Sequence, residues 1–518
     1  MTWPVADALS RSEMRPVMSF DDVAWDESER IVDSWTIQFC RPHIGEAAAE
    51  TLLDHHHPEE PVDFTVIGRG SYNICFRIVF VNSPPAVLRF PLPSTLRFPE
   101  EKTRNEAAIM RYLEECTSVP VPRVIHYGAV AESRLSLGPF LIMEYLSHQS
   151  TLYTSLNTPG RPPHLRAVLD PNISEQRLGD IYGQVAEIML QLSLPSFSRI
   201  GCLGKKGDTT WEVAFRPHTL DMEQLCVMGT LPTTCLPHPR SSASPKKRRS
   251  KEGKVSNPSL NNGPFKLWCD DFRPANVIVD SNDRVCGVLD WEFTYAAPLE
   301  YTYAPPWWLL IEKPEYWEAG LDDWARVYEQ RLQVFLRKMA EREDACIANG
   351  QMTEDHRLST HMRQSWDTGD FWIAYACQHS FAFDLIYWEK IDPRFFGATS
   401  DPESAWKARM ALLSKEELDE MESLVEKKMQ EMHTRVLAWD CDGLTGFLST
   451  YTKEALAQAV SDALLYGQAG STDPAGSGSA GSPLESPASL VMYRAMLEWD
   501  AKNKGVNREI ESGTCVLI

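Results

Sequence analysis

In the stretch EEKTRNEAAIMRYLEE, Glu106, Ile109, Met110 and Leu113 recur at i, i+3, i+4 and i+7, the spacing of one face of an α-helix. A carboxylate therefore shares the apolar stripe that must face a core. An unpaired buried carboxylate is expensive. The fold has to bring a cation to Glu106.

The flanking sequence predicts what this helix packs against. FTVIGRGSYNICFRIVF reads as a strand, a glycine turn and a second strand in which Ile74, Phe76, Ile78 and Phe80 alternate with other residues, as a buried sheet face requires. AVLRF, RVIHYG and PFLIMEYL read as three more strands, giving a small sheet with one helix. Beyond Ser174, a good N-cap, EQRLGDIYGQVAEIMLQL places Leu178, Ile181, Tyr182, Val185, Ile188, Met189 and Leu192 on one helical face. A larger, mostly helical lobe is expected to follow. The 518 residues leave room for two such lobes and appendages.

Charge and cysteine content narrow the class. A formal net charge of −21 disfavours binding to nucleic acid or an anionic membrane and suits a cationic substrate. The 12 cysteines include no CxxC pair and suggest reduced thiols rather than a zinc site or disulfide framework. Met1 to Phe20 lacks the apolar core of a secretory signal, and no later run is long and uncharged enough to span a bilayer. A cytoplasmic location is expected.

RSSASPKKRRSKEGK, Arg240 to Lys254, reads as a solvated basic insertion, with nuclear import through residues 246–251 as its functional alternative. Gly467 to Ser489 has the composition of a flexible linker, followed by LVMYRAMLEW as a short amphipathic helix. The terminal CVLI has the form of a prenylation box but lacks a neighbouring basic cluster, so it reads as accidental rather than as a lipid anchor. His55, His56 and His57 sit beside Pro58, Glu59 and Glu60 and read as a solvated turn rather than a metal cluster, and His379 as a satisfied core histidine.

The chemistry concentrates in LWCDDFRPANVIVD, Leu267 to Asp280. NVIVD, SND and RVCGVLD read as a strand, a tight turn and a returning strand, bringing Asn276 beside Asp290, with Asp271 one short loop earlier. Two carboxylates and an amide oxygen at one point form a hard oxygen site of the kind Mg²⁺ takes when substrate phosphates complete its shell. An aspartate outside that shell can accept or orient a hydroxyl proton.

With CDDFRPAN, LDWE and GRGSYN in this order, the chain from about Phe64 to the helices before the Gly/Ser linker resembles the aminoglycoside phosphotransferase and choline kinase-like branch of the protein kinase-like fold, the phosphotransferase enzyme family. The resemblance implies a two-lobed α+β fold: a small N-terminal antiparallel sheet plus helix, and a larger, mostly helical C-terminal lobe. It implies Asp271 as catalytic base and Asn276 and Asp290 as Mg²⁺ ligands. Gly68, Gly70, Ser71 and Asn73 correspond to the phosphate-covering loop. Arg89 corresponds to the strand cation that grips phosphates and pairs with Glu106, and Met143, Glu144, Tyr145 and Leu146 to the connection that bonds the nucleobase. Glu292 is a candidate metal helper or salt-bridge partner.

The implied organisation is an N-terminal extension (1–60), an N-lobe (61–147), a C-lobe (148–466) containing the basic insertion (238–262), a linker (467–489) and a C-terminal helix and tail (490–518).

The resemblance implies Mg²⁺-dependent transfer of the γ-phosphoryl group of ATP, with GTP as an alternative donor, to a small-molecule hydroxyl. A cationic amino alcohol or aminoglycoside-like acceptor suits the net charge. The partners are thus nucleotide and small molecule. APLE, Ala297 to Glu300, follows Asp290 too closely to leave room for a peptide-docking segment. Most of Trp307, Trp308 and Trp388 are expected to be core, and Asp384 to add acidity to an aromatic wall.

Two departures stand out. Arginine at position 89 replaces the usual lysine, and Cys269 replaces the motif histidine. They motivate a second reading, a pseudokinase-like nucleotide-binding or scaffold protein.

Overall fold

A computed structural model describes residues 61–93, 95–133, 138–162, 165–207, 210–227, 263–397 and 405–431, with residues 32, 33 and 35. The His55–His57 turn, the basic insertion, the Gly/Ser linker, the last helix and the CVLI tail lie outside the described residues.

Strands β1 (Pro61–Arg69), β2 (Asn73–Phe80), β3 (Ala86–Pro91), β4 (Val124–Gly128) and β5 (Phe140–Glu144) form an antiparallel sheet of order β1-β2-β3-β5-β4. The alternation in β2 has its expected effect. Ile74, Phe76, Ile78 and Phe80 pack with Phe64, Phe90 and Phe140 into one apolar layer, which Val32 and Trp35 of the N-terminal extension join. The opposite face presents Cys75, Val87, Leu141 and Met143 to helix α1 (Pro99–Cys116). Both faces are thus covered.

Helix α1 buries Ile109, Met110 and Leu113 with Glu106, as its periodicity demands, and also Lys102 one turn earlier. Helix α2 (Glu175–Ser193) begins at Ser174, whose Oγ accepts the Arg177 N–H at 3.2 Å. Its seven predicted apolar positions are all buried.

A two-residue strand β6 (Ser150–Thr151) follows the sheet, and helix α3 (Leu220–Val227) follows the hairpin β7 (Cys202–Lys206) and β8 (Thr210–Phe215). The long α4 (Leu321–Ala348) packs on α2, and α5 (Leu358–Thr368) and α6 (Asp370–Gln378) complete the helical lobe. The expected α+β, two-lobed architecture is the one the chain adopts. No described helix is long and apolar enough to cross a membrane.

Four short strands form the floor between the lobes. Strand β9 (Lys266–Cys269) ends just before Asp270, and β10 (Val277–Val279) and β11 (Val285–Val288) form the predicted hairpin, with Val277 opposite Val288. Strand β12 (Thr294–Ala297) returns antiparallel to β9. Asn276 thus stands just before the start of β10 and Asp290 just past the end of its partner β11, with Asp271 in the loop that leads from β9 to β10 and bonded to Asn276.

Candidate active site

The cation that Glu106 requires is Arg89. Strand β3 pairs with β2 so that Arg89 lies opposite Cys75, on the face toward α1. Its guanidinium reaches Glu106 at 2.5 Å, Asp290 at 2.6 Å and Glu292 at 2.9 Å while only 3 % exposed. A planar fork can meet several carboxylates in this way, whereas one ammonium could not hold the same three positions.

A second cation completes the cluster. Lys102, 1 % exposed, pairs with Glu292, lies 3.8 Å from Glu106 and donates to Asn73 Oδ1. Asn73 Nδ2 donates to Glu292 at 2.8 Å. Burial would raise the Glu292 carboxyl, but Lys102 and Arg89 outweigh it and hold it below its ordinary range. Burial dominates at Glu106 and pushes that carboxyl up despite the same two cations. Glu292 thus acts here as an ion-pair partner. Asn73, expected in the phosphate-covering loop, turns its side chain into this cluster.

The rest of that loop is a tight turn between β1 and β2, closed by Gly70 N–H donating to Asn73 O at 2.8 Å, with Gly68 in β1 and Ser71 at the turn. Its tip folds inward. Tyr72 packs edge-on against Phe293 at 5.4 Å, and its hydroxyl accepts from Gln224 of α3 at 2.8 Å.

The adjacent aspartates have different surroundings. Asp271 Oδ2 accepts from Asn276 Nδ2 at 2.8 Å, and Oδ1 accepts from Arg273 Nε at 2.6 Å. Asp270 instead accepts from Trp268 Nε1 at 3.0 Å, Tyr295 OH at 3.2 Å and the Leu220 N–H at 3.1 Å, and burial pushes its carboxyl up to about 7. Burial also raises Asp271, with Arg273 opposing and the Asp290 charge adding to the rise. Asp290 has a left-handed backbone, φ 58°, which aspartate tolerates better than most residues. The Cys269 thiol, at the motif-histidine position, contacts the Asp290 carbonyl at 3.8 Å and is packed in the core.

Asn276 is 1 % exposed, and its amide nitrogen is used by Asp271, which leaves its oxygen as the donor atom for a cation. With the Asp290 carboxylate this is a hard-oxygen set. Among the described residues no cluster of three or more His, Cys, Asp or Glu could hold a metal alone. The donors fit an ion such as Mg²⁺, which keeps waters and phosphate oxygens in its shell.

A cleft runs from this cluster to the connection between lobes, lined by Cys75, Val87, Arg89, Glu106 and Asp290 at one end and Met143, Glu144, Tyr145 and Leu146 at the other. The Glu144 and Tyr145 N–H groups already bond Arg123 O and Pro85 O, at 3.0 and 3.1 Å. Gly287 makes room in the floor. A Cβ there would stand 2.4 Å from Leu146 Cδ1 and 3.3 Å from Ile278 Cδ1.

A second cavity lies behind Asp270 and Phe272, walled by Trp268, Trp307, Trp308, Phe371 and Tyr375. Trp308 is buried, Trp307 and Trp388 are half-buried, and Asp384 is exposed and outside this wall. His379 stacks on Tyr375 at 3.9 Å, its Nδ1 lies 3.0 Å from Tyr375 O, and burial holds it neutral, down to about 3.

Sequence reasoning missed Lys102, although its place four residues before Glu106 on the buried stripe was a signal for it. It also missed α3, whose Glu223 and neighbouring His218 lie 3.2 Å apart and are both buried.

The cleft, its paired cation and the aspartate-asparagine contact are the setting in which comparison with known proteins is informative. A family model described as the phosphotransferase enzyme family matches residues 63–191. The match extends from β1 into α2 and stops before Asp271, so any role for the β10–β11 hairpin rests on its geometry. No curated protein matches the sequence.

Similar solved structures include a thermostable mutant of an aminoglycoside phosphotransferase in complex with AMP-PNP and hygromycin B (17 % identity, TM-score 0.32, covering 66 % of this chain and 98 % of that one). A putative fructosamine-3-kinase from Thermobifida fusca shows 15 % identity and a TM-score of 0.33, covering 71 % and 99 %. An amicoumacin kinase with AMP-PNP and Ca²⁺ shows 13 % and 0.34, covering 66 % and 94 %. Scores at this level carry no argument about activity or substrate.

Proposed function

We propose that this chain is an ATP-dependent phosphotransferase acting on a hydroxyl of a small molecule. The observation that carries the reading is the single cleft whose lining joins Arg89, Glu106 and Asp290 to the Met143–Leu146 connection. It presents a fixed cation and a cation-binding carboxylate at one end and an apolar, backbone-edged slot at the other, as a nucleoside triphosphate requires.

In this reading Arg89 orients the phosphates. Its Nε is buried without a partner among the described residues and is available to a phosphate oxygen. Asn276 and Asp290 hold Mg²⁺, which would supply charge neutralisation to the phosphates. Asp271, steered by Asn276 and Arg273, accepts the acceptor's hydroxyl proton. The nucleobase bonds backbone groups of Met143 to Leu146, where the Leu146 N–H has no partner among the described residues. GTP is the alternative donor. Such catalysis consists mainly of placement and electrostatics.

For a cationic amino alcohol or aminoglycoside-like acceptor the support is the net charge of −21 alone, a long-range term on which the local lining of the acceptor cavity bears separately. A pseudokinase reading has one specific observation in its favour. The Arg89–Asp290 ion pair engages a phosphate-binding and a metal-binding group with each other.

Incubating the protein with a metabolite extract and ATP, then searching by mass spectrometry for gains of one phosphate, separates the two. A phosphorylated product formed by the wild type and absent with Asp271→Asn supports transfer. Nucleotide binding without product from any extract supports the scaffold.

A further inference from the structure

The cavity behind Asp270 and Phe272 adjoins the proposed base through both of its chain neighbours. Its walls are aromatic, and the nearby carboxylates are already bonded: Asp270 accepts three hydrogen bonds, and Glu315 accepts the Tyr375 hydroxyl at 2.6 Å. His379 in the same wall is neutral. These bonds fix the carboxylates in place, and recognition at this wall is chiefly aromatic.

Two polar groups, one in its lining and one beside it, lack a hydrogen-bond partner among the described residues. Thr302 Oγ1 lines the cavity, belongs to a residue 5 % exposed, and has no hydrogen bond among the described residues. The ammonium of Lys313 lies 5.8 Å from the centre of the Trp307 ring and forms neither an ion pair nor a hydrogen bond among the described residues. Burial lowers its pKa; it is attracted first by Glu315 and then by Asp271, and repelled by Arg273 and Arg166, without a direct ion pair to any carboxylate among the described residues. A half-buried cation at an aromatic mouth beside the base is placed to receive an anion.

We propose that the phosphoryl acceptor is a flat, largely apolar alcohol bearing one anionic group, with its ring between Trp307 and Phe272, its anion on Lys313 and its hydroxyl at Asp271. The proposal rests on the phosphotransferase reading. In the transfer, the acceptor oxygen bonds to the γ-phosphorus of ATP, the bond from that phosphorus to the bridging oxygen breaks, ADP leaves with the bridging oxygen, and the hydroxyl proton passes to Asp271.

Three aryl methanols differing in charge test it on the full chain: 4-(hydroxymethyl)benzoate, benzyl alcohol and 4-(hydroxymethyl)benzylamine. Binding is followed by tryptophan fluorescence, and turnover by ADP release with Mg²⁺ and ATP. The carboxylate is expected to bind about tenfold more tightly than the amine, the neutral alcohol falling between them, as one ion pair near a protein surface allows. Lys313→Gln should bring the three together.

Tightest binding of the amine, or no binding of any probe by a protein that ATP still stabilises, overturns the acceptor assignment and leaves the phosphotransferase reading standing. A Lys313→Gln variant in which only the KM for ATP rises assigns the lysine to the phosphates and overturns it equally. No response to ATP removes both.

Discussion

Arg89 and Asp290 meet at 2.6 Å, joining a strand of the N-terminal sheet to the end of the β10–β11 hairpin. The two lobes are linked through the same guanidinium that satisfies Glu106 and Glu292. Removing it leaves three carboxylates with only Lys102 among them. Arg89→Ala should lose about 3–5 kcal/mol of stability, the cost of breaking a buried charge cluster. Arg89→Lys should lose less but still weaken ATP binding, since one ammonium cannot replace the fork. Chemical denaturation and nucleotide titration of both variants check this.

Lys102 and Glu292 should be energetically coupled. Lys102→Met leaves Glu292 dependent on Arg89, and Glu292→Gln leaves Lys102 with a distant Glu106 at 3.8 Å. A double-mutant cycle of stabilities should give a coupling of about 1–3 kcal/mol. Additive single effects would show that the pair contributes nothing specific.

Glu223 supplies a pH signature. Burial raises its carboxyl from the ordinary 4.5 to about 7, while burial with the nearby cations Arg216 and Lys102 lowers His218 to about 3, so the pair is neutral over much of the acidic range. A raised folded pKa makes the folded state hold its proton more tightly. The stability from Glu223 is therefore fully present below pH 4.5 and is lost as pH rises through 7. His218 and His379 act in the opposite sense, their contribution being lost as pH falls from 6.5 toward 3. The Glu223→Gln variant isolates the first effect. Its stability relative to wild type should rise between pH 4.5 and 7 by at most about 3 kcal/mol and then level off.

Gly287 bears on the nucleobase floor. Gly287→Val would displace Leu146 into the cleft, since that side chain is the nearest obstacle to a Cβ. Nucleotide affinity should drop about tenfold, ~1.4 kcal/mol, with the far-ultraviolet circular dichroism spectrum unchanged. An unaltered affinity would place the nucleobase elsewhere.

Much of this was legible in the sequence because the deciding interactions are local. The alternation of Ile74 to Phe80, the stripe around Glu106, the Ser174 cap and the turn at Ser281 to Asp283 each involve a few consecutive residues, and each formed as read. The spacing that separates Asp271 from Asp270 is equally local, and the contact with Asn276 distinguishes them in the structure. Lys102 was less obvious because a buried lysine becomes plausible only once Glu292, 190 residues later, is seen beside it.

Helix α3 depends on contacts more distant still. Its backbone is tied to Asp270, its Glu223 to the Arg97 N–H and its Gln224 to Tyr72, and no short pattern in LDMEQLCV announces any of them. The charge of the acceptor is not legible in the sequence for a related reason. Net charge is a property of the whole surface, whereas the bonds that occupy Asp270 and Glu315 are set by tertiary packing.

Thermal stabilisation by ATP, with and without Mg²⁺, in the wild type and in Asp290→Ala tests the central claim most directly. Wild-type protein should gain stability with ATP, more so with Mg²⁺, by about 2.7 kcal/mol at a hundredfold excess over the dissociation constant, and the Mg²⁺ increment should vanish in Asp290→Ala. No stabilisation of the wild type by ATP or GTP at any Mg²⁺ concentration would contradict the account.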